Sequence, residues 1–220
     1  MKRGAFITLE GIEGSGKTTQ ARLLAETLQR RGLETLVTHE PGDTRAGQTI
    51  RTIFLDPAYA LVPEAELMLV LADRSQHVSQ VLKPALAAGR VVISDRFSDS
   101  TLAYQGYGRG FDLKLLGGLN RFVTLGLGPD LTVLLDCSVE VGLARTRRRH
   151  ELSELAAGKE GAGGPDRFET EAAAFHSKVR EGFLAIAHAE PGRVVLVDSS
   201  RDLEAVRRDV LRAVEARLAS

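Results

Sequence analysis

Tryptophan is absent from these 220 residues, cysteine occurs once, at Cys137, and Asn120 is the only asparagine. A single thiol excludes an internal disulfide framework and any all-cysteine metal site, which favours a reducing compartment. Arginine exceeds lysine 23 to 6. Together with the scarcity of labile amides, this matches either a heat-adapted protein or a GC-rich genome. Net charge is also missing: Lys+Arg and Asp+Glu balance at 29 each. No global field therefore calls for nucleic acid or an anionic membrane as partner, and any basic site must be local. Long apolar runs are missing too. Ala5 to Leu9 is too short for a signal-peptide core, and no stretch nears the roughly 18 residues of a membrane helix. The expectation is a soluble, cytoplasmic protein. An apolar content of 43% excludes disorder, and the length fits one domain, residues 1–220, around a single core.

Five β-rich runs stand out: Ala5 to Glu10, Thr35 to His39, Arg90 to Asp95, Leu131 to Asp136 and Arg193 to Asp198. The last three are almost wholly apolar before an acidic end, which predicts strands buried on both faces of a parallel sheet. Helical periods lie between them. Ala21, Leu24, Ala25 and Leu28 form one apolar stripe that closes at Gly32. Leu203, Val206, Val210, Val214 and Leu218 form another, behind Asp202 as N-cap. Alternation of strand and helix predicts an α/β fold, a five-stranded parallel sheet covered by helices, with ligands beyond the carboxyl ends of the strands. One stretch, Ala156 to Pro165, is of low complexity. Its small residues predict mobility, either as a surface linker or as a lid, since it follows an arginine cluster.

Gly11-Ile12-Glu13-Gly14-Ser15-Gly16-Lys17-Thr18 fits G-x-x-x-x-G-K-[ST] between the first strand and first helix. Glycines let the backbone wrap a polyphosphate, and the helix N-terminus adds partial positive charge. Lys17 is expected to bridge the β- and γ-phosphates of a nucleoside triphosphate, and the Thr18 hydroxyl to ligate Mg²⁺. The motif does not separate ATPase, GTPase and kinase. The guanine-reading N-K-x-D motif is absent, because Asn120 is followed by Arg121.

Arginines recur where a second anion could bind. Arg96 follows Asp95 at the ligand edge of the sheet. Arg74 falls on the apolar stripe of Leu67, Val70, Leu71 and Val78, where it either snorkels to the edge or meets an anion in a cleft. Arg51 is a weaker candidate. Two or three such guanidiniums on one doubly charged phosphate would make a monophosphate site. The five histidines (39, 77, 150, 176, 188) show no metal-ligand spacing and are read as ordinary.

In order along the chain stand Leu9 to Thr19, Glu40-Pro41-Gly42, Asp73-Arg74-Ser75-Gln76-His77, Asp95-Arg96-Phe97, Ser100 to Gly106 and Asp166-Arg167-Phe168-Glu169. With these the chain resembles the thymidylate (dTMP) kinases of the bacterial kind. The resemblance implies a P-loop nucleoside-monophosphate-kinase-like three-layer fold and transfer of the γ-phosphoryl of ATP to dTMP in dTTP synthesis. It also implies a Mg²⁺ requirement and a homodimer. It puts Arg74 and Arg96 on the dTMP phosphate, with Arg51 and Gln105 in the same pocket. By the same resemblance Ser100 and Thr101 would lie near the thymine edge, Tyr104 against the sugar, Glu13 near the 3′-hydroxyl or a magnesium-bound water, and Asp95 near the metal.

Two departures matter. Relatives with a catalytic arginine inside the P-loop carry it where this chain has Gly14. The transferring phosphoryl group would then be served by a lid at about 141–168, with Arg147, Arg149 and Arg167 as candidates; Arg145, Arg148 and Arg149 share a helix face and Arg147 points elsewhere. Many relatives also stack an aromatic residue on thymine four positions before Arg74, whereas here Val70 offers an aliphatic wall. Rival readings are a kinase for another nucleoside monophosphate or a nucleoside, and a P-loop regulatory ATPase whose arginines bind a partner.

Overall fold

The computed structural model describes residues 4–157 and 166–219. Its strands are β1 (Phe6–Glu10), β2 (Thr35–His39), β3 (Val91–Asp95), β4 (Leu131–Asp136) and β5 (Val194–Asp198). All pair in parallel, in the order β2-β3-β1-β4-β5. Helices follow each strand: α1 (Lys17–Arg30), α2 (Arg45–Leu55), α3 (Pro63–His77), α4 (Lys83–Ala87), α5 (Ser98–Thr101), α6 (Leu113–Thr124), α7 (Val139–Ala157), α8 (Ala173–Ala189) and α9 (Leu203–Leu218). π-helical turns, Val78–Leu82 and Leu102–Gly108, extend α3 and α5. No helix among the described residues is long and apolar enough to cross a membrane.

Alternation along the central strand builds the layers. Ile7 and Leu9 of β1 point to one face of the sheet, where Leu24 and Leu28 of α1 and Val206, Val210 and Val214 of α9 close over them. Phe6 joins Val78, Leu82 and Phe97 in a second cluster, Phe175, Val179 and Phe183 of α8 pack with Leu134 of β4 in a third, and Leu67 and Leu71 of α3 pack with Leu116 of α6 in a fourth. The expected helix signals are in place: Gly32 takes φ +81° past the end of α1, and Asp202 accepts a hydrogen bond from the Ala205 amide (2.9 Å).

The edge strand corrects one expectation. β3 and β4 flank β1 and are buried, but β5 closes the sheet and leaves Leu196 52% exposed. An apolar run alone does not tell an edge strand from an inner one. Of the expected lid, 139–157 form one regular helix and Phe168 is buried; 158–165 lie outside the described residues.

Candidate active site

Glutamate 10 ends β1 and the chain loops through Gly11 to Gly16 into α1, so the first helical amides face the loop's interior. The Lys17 ammonium donates to the carbonyl oxygens of Gly11 (3.0 Å) and Ile12 (2.8 Å). It is buried, and burial with the neighbouring Arg96 charge lowers its pKa to about 8. Ser15 is buried under the same loop, its amide bonded to the Ile12 carbonyl. Gly14 is at φ +70°, and a Cβ there would lie 2.1 Å from the carbonyl oxygen of Gly142 in α7. That contact, with the positive φ, explains why no side chain can stand at position 14: the helix carrying the lid arginines occupies the space.

Thr18 donates its hydroxyl hydrogen to Asp95 Oδ2 at 2.5 Å, joining the start of α1 to the end of β3. Both residues line the cleft. Among the described residues no three His, Cys, Asp or Glu side chains gather to hold a metal unaided. A hydroxyl and one carboxylate suit a hard cation such as Mg²⁺, which keeps waters and takes its other oxygens from phosphates.

After Asp95 the backbone turns through φ +73° at Arg96, an uncommon conformation for a residue with a side chain. Glu10 holds this turn: its Oε1 accepts from the amides of Phe97 (2.8 Å) and Ser100 (3.3 Å), and its Oε2 from the Ser100 hydroxyl (2.6 Å). Arg96 thereby reaches the P-loop. Its Nη1 donates to the Gly11 carbonyl (3.2 Å) and to Ser100 Oγ (3.1 Å), its Nη2 to Glu13 Oε1 (2.9 Å) and the Tyr104 hydroxyl (3.0 Å). Burial opposes its charge, but Tyr104, Glu13, Asp95 and Glu10 outweigh that and raise its pKa. Glu13 also takes the Tyr104 hydroxyl hydrogen (2.5 Å). Burial pushes the Glu13 carboxyl up, yet His176, Arg96, Lys17 and Tyr104 hold it well below the ordinary carboxylate range.

Arg74 does not snorkel: it is 0% exposed, at the cleft's floor, and the anion it meets there is the Glu40 carboxylate. Its Nε donates to Glu40 Oε2 (2.8 Å), Nη1 to Thr101 Oγ1 and Asn120 Oδ1 (both 2.7 Å), and Nη2 to the Phe97 carbonyl (2.9 Å). Buried polar partners supply what the surface would have. Val70 lies one turn earlier on the same face, packed with Phe54, Tyr104 and Phe168. Aromatic rings therefore pack in one cluster with the position where many relatives carry one. Gln105, also on the cleft, donates its amide to Glu66 Oε1 (2.7 Å). Arg51 lines the opposite wall, bonded to the Pro41 carbonyl (2.7 Å).

The lid arginines separate. Arg145 and Arg149 line the cleft, but Arg147 is exposed away from it, in keeping with its different helix face. Arg145 is tied to the carbonyls of Ser199 (2.9 Å) and Ser200 (3.4 Å), whereas Arg149 pairs with Glu169 and is 64% exposed. Arg167 is turned from the cleft. It stacks over Phe54 and Phe168 and pairs with Glu66 (2.7 Å), and its buried Nη2 has no partner among the described residues. Its position just after 158–165 could not reveal that orientation.

Sequence reasoning missed the groups behind the site. His77, read as ordinary, is fully buried between Glu40 Oε1 (2.8 Å) and Thr38 Oγ1 (2.6 Å), completing the support of Arg74. His176 lies 3.3 Å from Glu13 Oε2. Their spacing from the other histidines carried no signal; their positions inside the Asp73–His77 motif and on the inner face of α8 did. Together these walls enclose a cleft of about 790 Å³. That is room for more than one small ligand. Amides and a lysine meet an arginine across it, an arrangement suited to two phosphorylated molecules placed end to end.

A family model described as Thymidylate kinase matches residues 9–210. A thymidylate kinase of Geotalea daltonii is 50% identical over 216 residues, covering 98% of each chain. One of Carboxydothermus hydrogenoformans is 52% identical over 193 residues, 88% of this chain and 89% of that one. The crystal structure of thymidylate kinase from Ehrlichia chaffeensis superposes with a TM-score of 0.74 at 33% identity, covering 97% of this chain and 99% of that chain.

Glu10 yields a test of the Arg96 turn. Burial and the Asp99 charge raise its carboxyl from 4.5 to about 7. Because the folded value lies above the unfolded one, its contribution is fully present below pH 4.5 and is lost as pH rises towards 7, by up to about 1.4 kcal/mol per pH unit. Glu10→Gln keeps an acceptor for the Phe97 amide without the charge. Urea unfolding from pH 5 to 7.5 should show the variant gaining stability relative to wild type as pH rises; a constant difference would contradict the assignment.

Proposed function

This chain belongs to the thymidylate kinase family, and from that premise we propose how its own residues carry the transfer of the γ-phosphoryl group of ATP to dTMP, giving ADP and dTDP. The observation that carries the reading is Arg96. One guanidinium bonds the P-loop carbonyl of Gly11 and, on the acceptor side, Ser100 and Tyr104. Donor and acceptor phosphates thus share a wall. The triphosphate lies against the amides of 12–18 and the start of α1, with Lys17 exchanging its own loop carbonyls for the β- and γ-oxygens. Arg96 and Arg51 take the dTMP phosphate, Tyr104 and Glu13 face the sugar, and Val70, Ser100, Thr101 and Gln105 face the base. The acceptor phosphate is ionised near pH 7, so no general base is needed. Arg74 stiffens this pocket through Thr101 rather than gripping phosphate.

Thr18 and Asp95 are assigned to Mg²⁺, which when bound with ATP neutralises charge on the β- and γ-oxygens. Arg149 is assigned to the transferring phosphoryl group. Its exposure and single-carboxylate tether support this over Arg145, which backbone carbonyls hold, and over Arg147, which lies off the cleft. A homodimer through α3 and α6 fits their apolar surfaces: Leu115 and Phe122, two turns apart on α6, are 52% and 77% exposed, and Met68 on α3 is 54% exposed. A cytosolic setting agrees with a lone, buried thiol.

Coupled ADP-release assays with ATP, Mg²⁺ and a panel of monophosphates test the reading. For Arg96→Ala, kcat/KM for dTMP should fall at least about a hundredfold while an ATP analogue still binds; unchanged dTMP kinetics would remove Arg96 from the acceptor site. Arg149→Ala should lower kcat by about a hundredfold or more, with Arg147→Ala near wild type. The reverse ranking would reassign the catalytic charge. Phe122→Glu should convert the dimer to monomer in light scattering, and an unaltered mass would move the interface elsewhere.

A further inference from the structure

Glu66 lies on α3 one turn before Val70 and two before Arg74, on the face turned to the cleft, and is 1% exposed. It accepts four hydrogen bonds. Oε1 receives Gln105 Nε2 (2.7 Å) and Arg109 Nε (3.3 Å); Oε2 receives Arg109 Nη2 (3.0 Å) and Arg167 Nη1 (2.7 Å). Arg109 in turn reaches Glu171 (2.5 Å) and stacks on Phe175. A carboxylate facing two guanidiniums is an acceptor with nothing to donate. Gln105 can meet it only with its NH₂ group. The amide of Gln105 is thereby held in one sense, and its carbonyl oxygen, which takes no hydrogen bond from the described residues, is the polar atom left for the cleft that this residue lines.

We infer that Glu66 is a positioning residue that sets the hydrogen-bond polarity of the base-facing wall, so that Gln105 presents an acceptor and selects a pyrimidine with a donor N3–H against one whose N3 is an unprotonated acceptor. The inference rests on the dTMP reading above. A site built to accept a hydrogen bond rejects an acceptor strongly, because an oxygen lone pair and a nitrogen lone pair are left facing each other with no proton between them. The two arginines anchor Glu66 in turn. They come from the end of the π-helical turn and from the segment after 158–165, so the polarity of the wall is secured by elements outside the pocket.

The test is the ratio of kcat/KM for dTMP to that for 5-methyl-dCMP, which keeps the methyl group and sugar and reverses the polarity at N3 and at the exocyclic group on C4. For Glu66→Gln, whose amide can face Gln105 with either atom, this ratio should fall at least about tenfold, with the KM for ATP within about twofold of wild type. Glu66→Asp, still an acceptor, should retain the wild-type preference even if the protein melts earlier. A ratio within about twofold of wild type in Glu66→Gln overturns the inference, because lost packing alone would slow both substrates alike. If Glu66→Gln does not fold, Gln105→Met takes its place. It leaves both arginine pairs intact and should lower the ratio too; an unaltered ratio overturns the inference in the same way. Wild-type protein without dTMP turnover would instead refute the kinase reading and not this role for Glu66.

Discussion

Between Asp95 and Phe97 the chain has to do two things within one residue. Asp95 must face Thr18 at the mouth of α1, and the next side chain must fold back over Gly11 and Glu13. A positive φ at Arg96 achieves both, at a cost on the order of 1–2 kcal/mol for a residue with a Cβ. The surrounding hydrogen bonds over-determine that conformation: the Arg96 amide donates to the Leu9 carbonyl, the Ser94 hydroxyl donates to the Arg96 carbonyl, and Glu10 accepts from the amides of Phe97 and Ser100. The P-loop, the Arg96 side chain and the short helix with Ser100 and Thr101 all hang from this turn. A shift here would move both ends of the cleft at once.

The second constraint is charge burial. Arg74, Glu40 and His77 are sealed together with side-chain exposures of 1% or less, and Glu66 is equally buried among its two arginines. Such pairs add little net stability, because desolvation consumes most of the attraction, but losing one member strands a buried charge. Their value here is geometric. Each clamps a residue that lines the cleft, Thr101 in one case and Gln105 in the other. The scarce asparagine fits the same logic, since Asn120 supplies an acceptor to Arg74 where a hydrophobic residue would leave an orphaned N–H.

Much of the fold was legible because local patterns and global packing agree. Five runs of β-forming residues became five strands, shifted by at most a residue at their starts, and the stripes of α1 and α9 close the same side of the sheet. The P-loop was legible because phosphate chemistry demands particular residues at fixed spacing. The remaining site was legible only as a set of residue types. Arg74, Arg147, Arg149 and Arg167 carry the same guanidinium and differ in direction: to the cleft's floor, off the cleft, on its wall, and between two aromatic rings.

What the sequence by itself determined is therefore the chemistry that must follow from covalent neighbours: strand, loop and helix for a polyphosphate, an acid and an arginine at the end of β3, and the absence of any thiol-based framework. Tertiary structure alone decided which of several arginines line the cleft, why Gly14 can bear no side chain, that β5 is an edge, and that two buried carboxylates clamp residues of its wall. The physical reason is that burial and hydrogen-bond partnership depend on residues far apart in the chain. Glu10 meets Ser100, Glu66 meets Arg167 and Gly14 meets Gly142 only after the sheet has assembled.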